Sequence, residues 1–190
     1  VTKKYKAIFL DRDGTINVDK GYLYRCDEFS FLPGVPQALK RLQDAGYLLV
    51  VVTNQSGVAR GYYQMSDVET LHRYMQEQLL GFGVMLAGVY VCPHHPEGVV
   101  ERFSCDCDCR KGKPGMLLNA AQDLNINLPQ SFMVGDKISD LEAGHRAGCC
   151  PLLLIDKTAN KESLNFPDSC EAVFENLEQV ADYVLNFNSI

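Results

Sequence analysis

The chain has 190 residues, 46% of them apolar and 22% charged, and a formal net charge of -6. This suits one compact soluble domain with a real core, and the acidic excess argues against a nucleic-acid binder, which needs a basic face. No apolar run approaches the roughly 18 residues of a membrane span. The apolar run to Leu10 is too short, and ended too soon by Asp11, for a secretory signal, so a cytoplasmic chain is expected.

In chain order, Lys6 to Leu10 reads as a short buried strand. A helical pattern opens near Pro33–Pro36, puts Val35, Leu39 and Leu42 on one face, and ends at Gly46. Tyr47 to Val52 is a second buried strand, running directly into Thr53, Asn54 and Gln55. Ser66 reads as an N-cap, with Glu69 completing a capping box before a helix to about Leu80. Ala87 to Val91 is a third strand. An irregular stretch from Cys92 to Lys113 follows, and Pro114 then begins a helix through about Leu124. Phe132 to Val134 is a fourth strand, leading through Gly135 and Asp136 to a helix over about Ser139–Ala147. Leu152 to Ile155 is a fifth strand and Ala172 to Phe174 a short sixth, before a last helix near Leu177–Leu185. Strands alternating with helices imply right-handed crossovers and a mainly parallel, Rossmann-like α/β sheet with helices on both faces. With no linker or repeat, residues 1–190 are expected to form one domain.

Ligands of such sheets bind beyond the carboxyl ends of the strands. Those ends carry Asp11 and Asp13, then Thr53 and Asn54, then the Cys/His stretch, then Asp136 and Asp140. Clustered carboxylates repel unless a cation or a shared proton relieves them. Oxygen-only ligands suit a hard cation such as Mg2+.

The eight cysteines are uneven: Cys92, Cys105, Cys107 and Cys109 crowd one stretch beside His94 and His95, while Cys26, Cys149, Cys150 and Cys170 are scattered. Crowding in a cytoplasmic chain favours a metal over disulfides. Alternate residues of an extended segment project the same way, which pairs Cys92 with His94 and Cys107 with Cys109. A structural, four-coordinate Zn2+ in a loop over about residues 92–109 is expected, with Cys105 and His95 as the spare ligands.

The elements Asp11–Thr15, Thr53 after a hydrophobic strand, a lysine before a helix, and Gly135–Asp136 with Asp140 resemble the motifs of the haloacid dehalogenase superfamily, in its order and spacing over residues 7 to about 155. The resemblance implies a phosphatase with Asp11 as nucleophile and Asp13 as general acid/base. It also implies Mg2+ on Asp11, the backbone carbonyl of Asp13, and Asp136, with Thr53 and a lysine on the phosphoryl oxygens. Lys111 is the expected lysine and Lys113 the alternative, since Gly112 stands where relatives carry proline. Neither the span from Thr15 to Thr53 nor that from Thr53 to Lys111 has room for an inserted cap domain, so an open site is expected.

The zinc-loop pattern on a capless scaffold resembles a subgroup holding heptose bisphosphate and histidinol-phosphate phosphatases. Residues 19–22, 53–61 and 92–96 look like those of its heptose members, which implies a sugar bisphosphate substrate losing its C7 phosphate. The resemblance implies substrate contacts from Asp19, Lys20, Gly21, Tyr22, Asn54, Gln55, Ser56, Arg110 and Lys137. The rivals are a histidinol-phosphate phosphatase and a non-catalytic zinc-stabilised binding domain. A monomer is the default for such an acidic chain without apolar patches.

Overall fold

A computed structural model describes residues 4–155 and 170–187 of the protein. Among these residues, six strands form one sheet: β1 (Ala7–Leu10), β2 (Leu48–Asn54), β3 (Gly88–Cys92), β4 (Phe132–Gly135), β5 (Cys150–Leu154) and β6 (Ala172–Phe174). Their order is β3-β2-β1-β4-β5-β6 and every pairing is parallel. Order reverses beside β1: the chain proceeds outward through β2 and β3, then returns to place β4 on the other side. This is the switch point where the crossovers leave a crevice at the strand ends.

Among the described residues, five α-helices cover the sheet: α1 (Val35–Asp44), α2 (Met65–Leu80), α3 (Gly115–Asp123), α4 (Ile138–Ala147) and α5 (Leu177–Phe187). Strand alternation divides the core in two. Ile8, Leu10, Leu49, Val51 and Val134 pack with α1, α5 and the end of α2. Ala7, Phe9, Val50, Val52 and Met133 face the other way, toward α3 and α4. Helix α1 shows the cause: Val35, Ala38, Leu39 and Leu42 recur at helical spacing and are all buried, each branched side chain contributing about 1.5–3 kcal/mol by leaving water. Among the described residues no domain is inserted between strands, and no helix is long and apolar enough to cross a membrane. The single-domain expectation also spans residues 1–3, 156–169 and 188–190, which lie outside the described residues.

The strand ends shift from the sequence expectation by one or two residues, β5 running over Cys150–Leu154 rather than Leu152–Ile155, and two helix caps differ. Helix α2 starts at Met65, not after Ser66, and its capping box joins Gln64 to Asp67, whose Oδ2 accepts the Gln64 N–H at 2.8 Å. Ser66 already lies in the first turn, and its carbonyl accepts the Thr70 hydroxyl. Pro114 caps α3 rather than opening it, a shift of one residue within the usual spread of helix ends.

Candidate active site

The end of β1 delivers Asp11 at the switch point, hydrogen-bonded through its N–H to the Val134 carbonyl of β4. Asp11 is 4% exposed. Its Oδ1 accepts the Arg12 N–H at 2.7 Å and lies 2.5 Å from Lys111 Nζ. The same Nζ lies 2.8 Å from Asp140, and Lys111 is itself buried. Oxygens of Asp11, Asp136 and Asp140 fall within 4.8 Å of one another. Three acids thus face one fully buried cation.

That imbalance shows in their acidities. Burial pushes the Asp11 carboxyl up to about 7, Lys111 opposes the rise, and Asp140 and Asp136 add to it. Burial likewise raises Asp136, with Lys137 opposing and Asp140 reinforcing. Asp136 Oδ1 is buried without a hydrogen-bond partner. A hard divalent cation would satisfy that oxygen and relieve the repulsion, so the donor set fits Mg2+.

Two glycines make the cluster possible. A Cβ on Gly14 would lie 2.3 Å from Asp136 Oδ2, and one on Gly135 would lie 2.2 Å from Asp140 Oδ2. Gly14 also has φ +81, a left-handed conformation that side chains rarely tolerate.

Asp13 is held differently. Its carboxylate accepts bonds from Arg12 Nη2 at 3.0 and 2.8 Å, Arg12 Nε at 3.2 Å, Asn17 Nδ2 at 2.9 Å and Gln55 Nε2 at 3.0 Å. Burial alone would make it a weaker acid, but Arg12 and these donors together hold the carboxyl below the usual carboxylate range. Gln55 also donates to Thr53 Oγ1 and accepts the Tyr63 hydroxyl. Gln55 is 2% exposed. Expected to touch substrate, its side chain instead turns inward behind Asp13, because both ends of the amide are engaged there.

The other expected contacts divide into a floor and a rim. Thr53 is buried at the end of β2. Asn54, half-buried, accepts the Lys111 N–H at 3.0 Å, and Ser56 is half-buried beside it. Asp19, Lys20, Gly21 and Tyr22 form an exposed rim. Tyr22 meets Tyr62 edge-on at 4.7 Å, and Lys137 Nζ reaches across to Asp19 at 3.4 Å. Arg110 is half-buried and donates to the His94 carbonyl.

The two lysines separate cleanly. Lys111 lies in the acid cluster, whereas Lys113 pairs with Asp106 on the surface at 2.8 Å. Gly112 between them has φ +95 and donates its N–H to the Ser139 carbonyl at 2.9 Å. Proline could adopt neither feature, so the departure from an Arg-Lys-Pro pattern follows from this local backbone.

The cysteine stretch gathers Cys92, His94, Cys107 and Cys109. Cys92 Sγ lies 3.5 Å from Cys107 Sγ and 3.8 Å from His94 Nδ1. Cys109 Sγ lies 3.3 Å from both Cys107 Sγ and His94 Nδ1. Tetrahedral zinc, with bonds of about 2.3 Å to sulfur and about 2.0 Å to nitrogen, would set ligand separations of roughly 3.5–3.8 Å, close to the 3.3–3.8 Å seen here. The set fits that ion. Burial pushes the Cys109 thiol up to about 11 and Cys92 higher still, so a metal must displace their protons. Of the spare ligands, Cys105 is exposed and His95 is engaged with Arg60 and the Glu97 N–H. The loop is tied to β2: Gln55 donates its N–H to the Cys92 carbonyl at 2.7 Å.

Sequence reasoning assigned no role to Arg12 or His72. Arg12 is 0% exposed, and its Nη1 lies 3.0 Å from His72 Nε2. The signals were present: strand alternation turns residue 12 away from Asp11, and His72 interrupts the apolar stripe of Val68, Leu71, Met75 and Leu79 on α2.

A parallel sheet with acids converging at its switch point is the architecture of haloacid dehalogenase-like hydrolases, and a family model described as HAD-hydrolase-like matches residues 108–180. A D-glycero-beta-D-manno-heptose-1,7-bisphosphate 7-phosphatase of Haemophilus ducreyi is 47% identical over 94% of this chain and 98% of its own. The protein of that name from Escherichia coli K12 is 47% identical over 98% and 91%. The crystal structure of D,D-heptose 1,7-bisphosphate phosphatase from B. bronchiseptica, complexed with magnesium and phosphate, superposes with a TM-score of 0.82 at 35% identity, covering 96% of this chain and 99% of that one. The chain belongs to this family of haloacid dehalogenase-like heptose bisphosphate phosphatases.

Proposed function

We propose that the protein is a Mg2+-dependent phosphatase that removes the C7 phosphate of D-glycero-beta-D-manno-heptose 1,7-bisphosphate through an aspartyl-phosphate on Asp11. The observation that carries this is the buried Asp11 carboxylate in contact with Lys111 at 2.5 Å, beside Asp136 with its unpartnered oxygen. The names of the relatives support the substrate and its β anomer, and the magnesium–phosphate complex of a relative supports the metal.

Asp11, the Asp13 carbonyl and Asp136 would hold Mg2+, which supplies positive charge that screens the carboxylate nucleophile from the phosphate. An Asp11 oxygen bonds to phosphorus as the bond from phosphorus to the sugar oxygen breaks, and Asp13, ionised in the free protein but protonated once the negative phosphate lies beside it, gives its proton to the departing oxygen. Water then attacks phosphorus and yields its proton to Asp13. The Asp11–phosphorus bond breaks, and inorganic phosphate leaves. Thr53 and Lys111 stabilise the equatorial phosphoryl oxygens. Asp19–Tyr22, Asn54, Ser56, Arg110 and Lys137 receive the sugar and its remaining phosphate. Gln55 acts from behind Asp13. Zn2+ on Cys92, His94, Cys107 and Cys109 is structural and fixes the loop that presents Arg110 and Lys111. The chain works as a capless monomer in the cytoplasm, on a route to nucleotide-activated heptose.

Side-by-side turnover of heptose 1,7-bisphosphate and histidinol phosphate with Mg2+ tests the reading. Strong preference for the heptose is expected; preference for histidinol phosphate would transfer the chain to the other activity of the zinc-loop group. No turnover of either, with intact zinc, would favour a binding domain.

A further inference from the structure

Arg12 stands between the two aspartates of the reaction yet touches only one of them with its side chain. It is among the largest fully buried side chains of the protein. Burying a guanidinium costs several kcal/mol unless every donor is met. Here Nε and Nη2 grip the Asp13 carboxylate at 2.8–3.2 Å. Behind that grip, Nη2 donates to the Leu23 carbonyl at 2.9 Å and Nη1 to His72 Nε2 at 3.0 Å. Arginine has no acceptor, so His72 Nε2 must be unprotonated. Burial, with Arg12 adding to it, holds the ring neutral by pushing it down to about 3. His72 belongs to α2, sixty positions along the chain, and is 5% exposed. The result is a buried relay of three side chains, from a helix through a guanidinium to the carboxylate that moves the proton.

We propose that Arg12, backed by His72, is a positioning residue that fixes the Asp13 carboxylate for proton transfer to and from the reacting oxygens. The inference rests on the reading of Asp13 as acid/base. A forked, two-nitrogen contact sets both the distance and the plane of a carboxylate, which one ammonium cannot do. Proton transfer is sensitive to such placement. Gln55 and Asn17 hold Asp13 from other sides, so loss of the fork leaves the carboxylate in place but on a single side-chain donor at each oxygen, less firmly oriented. A purely structural ion pair, pinning the Leu23 loop to α2, would alter stability without distinguishing one leaving group from another.

The test is single-turnover phosphoryl transfer with enzyme and Mg2+ in excess over substrate, so that release of the leaving group reports transfer to Asp11 alone. Two substrates are compared: heptose 1,7-bisphosphate, whose alkoxide leaves only with a proton, and 2,4-dinitrophenyl phosphate, whose phenolate needs none. Arg12→Lys is expected to slow release of the sugar about 10- to 100-fold and that of dinitrophenolate by less than about threefold. His72→Leu, a milder change that leaves Arg12 in place, should show the same selectivity at about three- to tenfold, and His72→Gln, which keeps an acceptor for Nη1, should restore most of it. Asp13→Asn is run in parallel. If Asp13→Asn is selective while Arg12→Lys and His72→Leu slow both substrates equally or neither, positioning by Arg12 is refuted and the acid/base reading stands. If Asp13→Asn is not selective, the acid/base reading fails and positioning fails with it. Should Arg12→Lys not fold, the two His72 variants decide between these outcomes.

Discussion

The acid cluster at β1 and β4 and the cysteine loop beyond β3 both gather groups that repel or resist ionisation, but they hold them in opposite ways. The acids sit on ends of buried parallel strands, so the sheet imposes their proximity whether or not a cation is present. Cys92 ends β3 in the core, but His94, Cys107 and Cys109 sit on the irregular stretch beyond it, where a metal would offset the ordering of the loop. One site is made by the fold. The other, with zinc bound as proposed, would help to make it, and Lys111, which follows the loop and reaches the acids, joins the two.

Asp11→Asn separates chemistry from folding most sharply. Turnover should fall at least about 10⁴-fold, since an amide cannot accept the phosphoryl group. Its melting temperature should hold or rise, because one of three crowded acids is gone. Undiminished turnover would remove Asp11 from the nucleophile's role.

Lys111→Met should hurt both properties: turnover down about 10²–10³-fold, and stability down by roughly 3 kcal/mol because acids are left buried without their cation. Denaturant midpoints alongside kcat check this, and a loss confined to activity would mean the ion pairs do not support the fold.

Removing zinc with a strong chelator, or substituting Cys107→Ser, should lower the melting temperature by several degrees and turnover by about tenfold or more. Mg2+ alone should not restore either. If apo and zinc-loaded protein melted together, the loop would not depend on its metal.

His72 gives a pH test. Its folded acidity lies near 3 against an ordinary 6.5, so between those values the unfolded chain binds a proton that the folded chain refuses. Stability therefore falls as pH drops below about 6.5, and this contribution is fully lost near pH 3. Between pH 6.5 and 5 the stability of the parent should fall relative to His72→Gln by about 1.5–2 kcal/mol. A constant difference across that range would mean that the ring titrates normally. At the small end, Lys113→Met should leave turnover and zinc content unchanged, because its partner Asp106 is at the surface; a fall like that of Lys111→Met would reverse the assignment of the two lysines.

Much of this was legible in the sequence because it is local. Apolar runs placed the strands, the residues after them named the acids, and alternate spacing selected the same Cys and His residues that the structure gathers. What escaped was decided at long range or by competition between neighbours. Gln55 looked like a substrate contact until Tyr63 and Asp13 claimed its amide. Arg12 and His72 are sixty residues apart and meet only because α2 packs behind the β1 loop. At the start of α2, Gln64 and Asp67 took the cap from Ser66, although serine is the better capper in isolation.

Gly14 and Gly135 serve the site as reserved volume. Each leaves the space that a carboxylate occupies: for Gly14 that of Asp136, far along the chain, and for Gly135 that of Asp140, on the helix that follows it. Anyone transplanting these acids onto a different parallel sheet would have to carry the two vacancies along with them. A methyl group at either position would evict a carboxylate as surely as a substitution of the aspartate, and from a residue that carries no chemistry of its own.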